Sequence, residues 1–221
     1  MTLDQHIESV FTPIYENNSW GDPESRSGYG STVERSIGFR NGLKYIKDTY
    51  SIHSMLDLSC GDWAWMKECK DILDDYTGVD VVQSMIDRNN HLYESDKIRF
   101  FKADMLLYLM NRPDKSVDLA WARQTLEHLP TEYNLRTIEQ LKRVAKYFII
   151  TGQNEAHGTE NKDITFGAGS RGIRLHSTPY IEVLGKPVYI FNDCIPTTQY
   201  IYEGYLYTTT SKLRMPYMSS T

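Results

Sequence analysis

Three aspartates follow short apolar runs, at positions where carboxylates could bind the polar groups of a nucleoside. Asp57 lies in the run MLDLSCGDW, Asp80 in GVDVV and Asp104 in FKADM. Short buried runs of this kind predict parallel strands, whose carboxyl ends meet at one edge of a sheet and bind ligands there. The three carboxylates therefore predict one site for a nucleoside-type cofactor.

Each aspartate has an expected partner on such a cofactor. We expect Asp57 to bind an ammonium group, directly or through water. Asp80, with Val81 beside it, can accept hydrogen bonds from both ribose hydroxyls, as acidic residues do in dinucleotide-binding folds. Asp104 can accept a hydrogen bond from the adenine amino group, while the Met105 backbone N–H faces a ring nitrogen and the Met105 side chain packs on the ring.

The turn after the first run brings the backbone toward this ligand. Gly61 permits a tight turn, so the backbone from Ser59 to Gly61 can approach a ligand closely. A helix predicted from Trp63 to Lys70 would present free N–H groups and a partial positive charge. Asp62 either belongs to the site or caps this helix. We expect Trp63 at the edge of the pocket and Trp65 in the core.

Alternating helices and strands must position these residues. The apolar periodicity predicts helices over 1–16, 32–49, 63–70, 83–90, 105–110 and 131–144, and strands over 52–58, 76–82, 98–102, 117–122, 146–151, 188–191 and 199–207. This alternation predicts an α/β fold, a Rossmann-like doubly wound sheet that is mostly parallel and ends in a C-terminal antiparallel strand pair. Residues 153–177 are predicted to form a long loop and residues 215–221 a frayed tail.

The composition limits the function classes. The 221 residues carry a net charge of −5, and 40% of them are hydrophobic, which is ordinary for a folded domain. No block of like charges is long enough to track nucleic-acid phosphates, so a nucleic-acid partner is disfavoured. The three cysteines form no CxxC pair, and neither a leader-like segment nor a membrane-spanning apolar run occurs. We expect a cytoplasmic protein without a membrane partner; its oligomeric state stays open.

The motifs together resemble those of a known family. In order and spacing, LDLSCGD, GVDVV, FKADM and VDLAWARQTLEHL resemble the recurring motifs of class I S-adenosylmethionine-dependent methyltransferases, over about residues 52–150. The glycine-rich turn departs from the family's GxGxG pattern, since Ser59 and Asp62-Trp63 replace its outer glycines. The resemblance implies S-adenosylmethionine as the cofactor. It also implies one domain over 1–221, with a cofactor-covering loop in 1–50, a cofactor-binding core in 51–152, and an acceptor loop with terminal strands in 153–214.

A narrower resemblance concerns the flanking segments. The runs WGDPESRSGYGS, CGDWAWMKE, NKDITFG and RGIRL are similar to those of a small methyltransferase group that includes virus-encoded rhamnose O-methyltransferases. This resemblance implies O-methylation of a hydroxyl on a sugar, rhamnose-like or part of a glycan, or on a similar polar small-molecule acceptor. An N- or C-methyltransferase of a small natural product and a non-catalytic binding module on the same fold remain alternatives.

The predicted covering loop adds cofactor candidates, namely Trp20, Arg26 and Gly28. Arg26, or alternatively Arg40, could pair with the methionine carboxylate in a bidentate manner. The loop could equally be a surface lid without ligand contact. After the fourth apolar run, Arg123 or Gln124 is expected to border the sulfonium; Arg123 completes the cofactor-binding set.

Methyl transfer to a hydroxyl needs a positioned base. His128, with Glu127 near it, is the first candidate, although His128 could equally be a structural residue under the sheet edge. His157 is an alternative base. Asp163 is a candidate through the family resemblance alone, and it could equally hold its loop in place. We expect no metal, because Gln124 replaces the first Glu of the Glu-x-x-Glu-His run that holds magnesium in ubiquinone-pathway O-methyltransferases.

Overall fold

The computed structural model describes residues 1–153, 161–167, 169–194 and 202–209. Seven strands form one sheet: β1 (Ser54–Leu58), β2 (Asp75–Asp80), β3 (Ile98–Lys102), β4 (Val117–Ala122), β5 (Ala145–Gln153), β6 (Tyr189–Asn192) and β7 (Tyr202–Thr208). Their order in the sheet is β3-β2-β1-β4-β5-β7-β6. The pairs among β1 to β5 are parallel, and β7 is antiparallel to both of its neighbours.

Helices cover both faces of this sheet: α1 (Leu3–Glu16), α2 (Ile37–Tyr50), α3 (Gln83–Tyr93), α4 (Met105–Met110), α5 (Thr131–Val144) and α6 (Tyr180–Leu184). Side chains of α4, α5 and α6 pack on one face, and side chains of α2, α3 and the 3₁₀ helix Met66–Ile72 pack on the other. The central strands are almost fully buried, as expected for a parallel sheet covered on both faces. The predicted fold class is confirmed.

The helix predicted from Trp63 to Lys70 is wrong. Ser59, Gly61 and Trp63 all have positive φ, between 54° and 72°, which an α-helix cannot accommodate. The Trp63 indole is fully buried and donates a hydrogen bond from Nε1 to the Tyr76 hydroxyl at 2.9 Å. Burial of this side chain imposes the turn, and a 3₁₀ helix follows only at Met66–Ile72.

Two other helices also differ from the sequence prediction. The second helix begins at Ile37 rather than at residue 32, because Tyr29–Ser31 form a 3₁₀ turn and the Thr32 hydroxyl accepts a hydrogen bond from the Arg35 N–H. Helix α6 was not predicted, since its five residues are too short to show a helical period. Residues 199–201 and the tail at 215–221 lie outside the described residues. Among the described residues, no helix combines the length and the apolar character needed to cross a bilayer.

Phe191 joins helix α2 to the antiparallel end of the sheet. Its ring lies between Gly42 of α2 and Gly204 of β7, and a Cβ atom on either glycine would overlap the ring. The Phe39 ring packs against Phe191 with centroids 5.7 Å apart. The two glycines thus create the space in which this ring packs.

We predict that Gly42→Ala destabilises the fold by about 1–3 kcal/mol, the usual cost of overpacking a filled core. On an exposed helix face the same change would stabilise, because alanine is the better helix former. Asn41→Ala, at the exposed neighbouring position, is the control and should change stability by only a few tenths of a kcal/mol. Urea unfolding followed by circular dichroism measures both; a stabilised Gly42→Ala variant would contradict the packing argument.

Candidate active site

A cavity of about 340 Å³ opens at the carboxyl edge of strands β1 to β4. This volume suits a small-molecule ligand. All three predicted aspartates line it, together with His128 and Glu127. The predicted residues on its wall are Trp20, Gly28, Asp57, Ser59, Asp62, Asp80, Val81, Asp104, Met105, Arg123, Glu127 and His128.

Asp57 is a buried carboxyl at the end of β1. The Tyr76 hydroxyl donates a hydrogen bond to Asp57 Oδ2 at 2.8 Å. Burial raises the pKa of Asp57 to about 7, although this hydrogen bond opposes the rise. A cationic group in the cavity would therefore stabilise the ionised form of Asp57.

Asp80, at the end of β2, holds the turn after β1. Its carboxylate accepts hydrogen bonds from the Gly61 N–H at 2.9 Å and from the Val82 N–H at 3.0 Å. Burial raises the pKa of Asp80, and these two hydrogen bonds oppose the rise. Since a carboxylate offers about four lone-pair positions, Asp80 retains acceptor capacity for a ligand in the cavity.

Asp104 precedes helix α4 and serves as its N-cap. It accepts hydrogen bonds from the Leu107 N–H at 2.9 Å and from the Tyr133 hydroxyl at 2.6 Å. Tyr133 also lines the cavity. No local sequence pattern indicated Tyr133, because it lies on α5, far from Asp104 along the chain.

Asp62 holds the N-terminal loop over the site through hydrogen bonds. Its carboxylate accepts hydrogen bonds from the Arg26 N–H at 2.7 Å and from the hydroxyls of Ser25 and Ser27 at 3.1 and 3.2 Å. The helix that Asp62 was considered to cap does not form. Its carboxylate instead fixes the loop that carries Gly28 to the cavity wall.

Two arginines proposed for the methionine carboxylate have other partners. Arg26 lies outside the cavity wall, and its guanidinium donates to the carbonyls of Tyr15 and Glu16 at the end of α1. Arg40 donates to the Val33 carbonyl at 2.9 Å. Trp63 is absent from the wall, because the turn at 59–63 directs its side chain toward Tyr76. Trp65 packs in the hydrophobic core, as predicted, and also lines the cavity.

Arg123 forms a buried ion pair that the sequence did not predict. Its Nε donates to Asp193 Oδ1 at 2.7 Å, and its Nη2 donates to the Gly30 carbonyl at 2.9 Å. The guanidinium lies over the rings of Phe39 and Trp65, 5.4 and 5.1 Å from their centroids. Arg123 borders the cavity as expected, but its charge is already paired.

Asp193 connects several elements through this pair. Its Oδ2 accepts a hydrogen bond from Gln124 Nε2 at 2.6 Å, and its carbonyl accepts one from the Phe39 N–H at 2.9 Å. Asp193 thereby fixes the end of β4, the covering loop at Gly30 and the first turn of α2 relative to one another. No local pattern around Asp193 indicates this role.

His128 lines the cavity after β4 with one ring nitrogen engaged. Its Nδ1 lies 3.1 Å from the Gly169 carbonyl oxygen. A carbonyl can only accept, so Nδ1 carries the proton and Nε2 keeps its lone pair. Burial lowers the pKa of His128 below 6.5, and the hydrogen bond to Gly169 opposes this in part. The imidazole is therefore a neutral proton acceptor at pH 7.

Glu127 is a buried carboxyl on the same wall. Burial raises its pKa to about 8, so that the protonated form predominates at pH 7. Arg171 holds the backbone of Glu127 in place, because the Glu127 carbonyl accepts a hydrogen bond from the Arg171 N–H at 3.0 Å.

Asp163 does not line the cavity. Its side chain is 66% exposed and accepts hydrogen bonds from the Thr131 N–H at 2.8 Å and from Arg171 Nη1 at 3.0 Å. These contacts lower the pKa of Asp163 to about 2. Asp163 therefore links Arg171 to the start of α5, and its position away from the cavity does not support the catalytic role predicted for it. His157 lies outside the described residues.

The cavity wall is rich in carboxyl groups and poor in unpaired positive charge. Asp57, Asp62, Asp80, Asp104 and Glu127 line it, and among the described wall residues Arg123 is the one arginine or lysine. Within the described part of the chain, no group of three or more His, Cys, Asp and Glu residues could hold a metal ion.

We predict that Asp193→Asn destabilises the fold by about 3–5 kcal/mol, because the variant leaves the Arg123 guanidinium buried without a counter-charge. Asp114→Asn is the matched control: Asp114 pairs with Arg143 at 2.7 Å, but its side chain is 74% exposed. An exposed pair contributes at most about 1 kcal/mol. Urea unfolding compares the two variants, and equal losses would contradict a special role for Asp193.

Comparison with known proteins identifies a matching family model and solved structures with a similar fold. Residues 56–147 match the family model described as a methyltransferase domain. The fold is similar to magnesium protoporphyrin IX methyltransferase from Synechocystis PCC 6803, in a structure with bound SAH: 14% identity over 93% of this chain and 99% of that chain, with a TM-score of 0.63. The N-methyltransferase NodS from Bradyrhizobium japonicum WM9 is also similar, with 15% identity over 77% of this chain and 93% of that chain and a TM-score of 0.56.

No curated protein matches the chain in sequence. At identities this low, the structural similarities establish the fold alone. The chain therefore has the Rossmann-like methyltransferase fold, and its central segment matches the methyltransferase domain family.

Proposed function

We propose that this chain is an S-adenosylmethionine-dependent methyltransferase that methylates a hydroxyl of a sugar, rhamnose-like or part of a glycan, or of a similar polar acceptor. The observation that carries the proposal is the arrangement along one sheet edge. Asp57 and Asp80 lie at the carboxyl ends of the neighbouring strands β1 and β2, and Asp104 and His128 come after the flanking strands β3 and β4. Within the described residues, His128 Nε2 has no hydrogen-bond partner.

The buried carboxyls fit this cofactor. Asp57 and Asp80 are desolvated and have only neutral hydrogen-bond donors in the described residues, so a ligand that carries positive charge compensates for their burial. Asp80 would hold the ribose hydroxyls, Asp104 and Met105 the adenine, and Asp57 the ammonium group. The matched methyltransferase domain and the SAH-bound structural neighbour support S-adenosylmethionine as the cofactor.

Bound S-adenosylmethionine supplies an electrophilic methyl group on a positively charged sulfur. The chain supplies a base for the acceptor hydroxyl and a cavity that encloses the acceptor. His128 Nε2 takes the proton of the acceptor hydroxyl as the oxygen becomes nucleophilic, and the resulting imidazolium keeps its Nδ1 hydrogen bond to Gly169. The covering loop, which Asp62 and the Arg123–Asp193 pair fix in place, limits the access of water.

The sugar assignment rests on the character of the wall near His128. Trp20, Tyr29 and Tyr202 line this cavity, and the Trp20 indole lies 5.5 Å from the His128 ring. Aromatic faces of this kind suit the apolar face of a sugar ring, while Gln124 and Ser170 offer neutral polar atoms. The resemblance of residues 20–31 to rhamnose O-methyltransferases supports the same acceptor class. The mass and bond position of the product distinguish O-methylation from N- or C-methylation.

We predict that Asp80→Asn weakens binding of S-adenosylmethionine about tenfold to a hundredfold, because ribose hydroxyls lose a charged acceptor. Asp87→Asn, on the exposed face of α3, is the control and should bind like the wild type. Isothermal titration calorimetry measures both. Absence of binding to the wild-type chain would contradict the enzyme proposal and favour a non-catalytic module.

We predict that His128→Ala lowers kcat about a hundredfold to ten-thousandfold at saturating cofactor, while cofactor affinity changes little. In the wild type, kcat/KM should fall as the pH drops below 6.5, because the protonated imidazole cannot accept a proton. His91→Ala, on α3 away from the cavity, is the control. Rates measured by mass spectrometry with deoxysugar glycosides test this, and unchanged turnover in His128→Ala would rule out His128 as the base.

A further inference from the structure

Glu127 lies in the wall of the cavity directly beside the proposed base. The 3₁₀ turn Leu126–His128 carries both side chains. Hydrogen bonds fix this turn, because Arg171 N–H donates to the Glu127 carbonyl at 3.0 Å and Asn134 Nδ2 donates to the Leu126 carbonyl at 2.8 Å. Since both side chains line the same cavity, they can contact two neighbouring groups of one ligand.

The carboxyl of Glu127 has unused hydrogen-bonding capacity. In the described part of the chain, its own backbone amide is the hydrogen-bond donor that it meets. The charged and titratable groups around it are Arg123, Asp193, Arg171 and Tyr202. Both arginines are engaged elsewhere: Arg123 binds Asp193, and Arg171 donates to Asp163 and to the Leu129 carbonyl. A buried polar group with so few partners is costly unless a ligand completes its hydrogen bonds.

We propose that Glu127 is a specificity residue that hydrogen-bonds to a second hydroxyl of the acceptor, adjacent to the hydroxyl whose proton His128 takes. This inference rests on the proposed function and deepens it. The acceptor is then an uncharged compound with two neighbouring hydroxyls, as on a sugar ring. A protonated carboxyl both donates to and accepts from such a hydroxyl.

The same wall disfavours anionic acceptors. A carboxylate or phosphate placed next to His128 would find no free arginine or lysine on the described wall, because Arg123 is already paired with Asp193. The cost of leaving a buried charge unpaired would then select against such acceptors. A sugar with free hydroxyls fits the site, whereas the corresponding uronate does not.

The proposal is tested with a methyl 6-deoxyhexoside as acceptor, its monodeoxy analogues and the corresponding uronate. For the wild type, removing the hydroxyl adjacent to the methylated one should lower kcat/KM about tenfold to a hundredfold. The uronate should be methylated more slowly still. Equal kcat/KM for the diol and for the analogue that lacks the adjacent hydroxyl would overturn the proposal without any variant.

Two substitutions then separate recognition from folding. Glu127→Ala should lower kcat/KM for the diol to the level of the deoxy analogue, so that both acceptors react equally. Glu127→Gln retains a donor and an acceptor, so it should keep the preference for the diol. Glu132→Gln, exposed on the first turn of α5, should behave like the wild type.

The pH dependence gives a second readout. Ionisation of Glu127 near pH 8 removes its donor and leaves a charged acceptor, so the ratio of kcat/KM for the diol to that for the deoxy analogue should change across that pH in the wild type and stay constant in Glu127→Gln. Undiminished discrimination by Glu127→Ala overturns this inference alone. Failure of the wild type to methylate any hydroxyl, with S-adenosylmethionine still bound, overturns the proposed function and this inference with it.

Discussion

Burial of carboxyl groups at one sheet edge is the constraint that shapes the site. Asp57, Asp80, Asp104 and Glu127 are each at most 5% exposed, and ionised carboxyls at such positions are costly without a positive partner. The chain provides mainly neutral donors, such as the Tyr76 hydroxyl and the Gly61 N–H. The site therefore retains a preference for positive charge, which a sulfonium cofactor with an ammonium group satisfies.

The Arg123–Asp193 pair explains why the antiparallel end of the sheet matters to a site on its parallel half. Asp193 follows β6 directly, so the packing of β6 against β7 and α2 determines where this carboxylate lies. From there it positions Arg123 at the end of β4, and Arg123 in turn binds the Gly30 carbonyl of the covering loop. Through this one ion pair, the position of the last strands determines where the loop over the cavity lies.

Local sequence patterns predicted the elements whose structure depends on local interactions. Buried apolar runs followed by a carboxylate located β1, β2 and β3 and all three strand-end aspartates. The helix at 63–70 failed because a long-range contact, Trp63 with Tyr76, overrode local helix preference. The roles of Asp193 and Tyr133 were not predicted for the same reason, since each binds a residue that is distant in sequence. Arg26 was placed in the site by its charge, whereas its actual partners are helix-end carbonyls.

Polar residues in the loop motifs indicate how a loop is held in shape more reliably than they indicate which residues line the cavity. Asp22 accepts hydrogen bonds from the Glu24 and Ser25 N–H groups, and Asn161 bonds to the backbone of Arg174 in both directions. Such contacts hold the loops without facing the cavity. Their effect on the cavity is indirect: Arg171, which Asp163 holds, fixes the backbone of Glu127 on the cavity wall. A sequence resemblance in these motifs therefore carries information on the shape of the cavity wall, even where a shared residue such as Asp163 does not line the cavity.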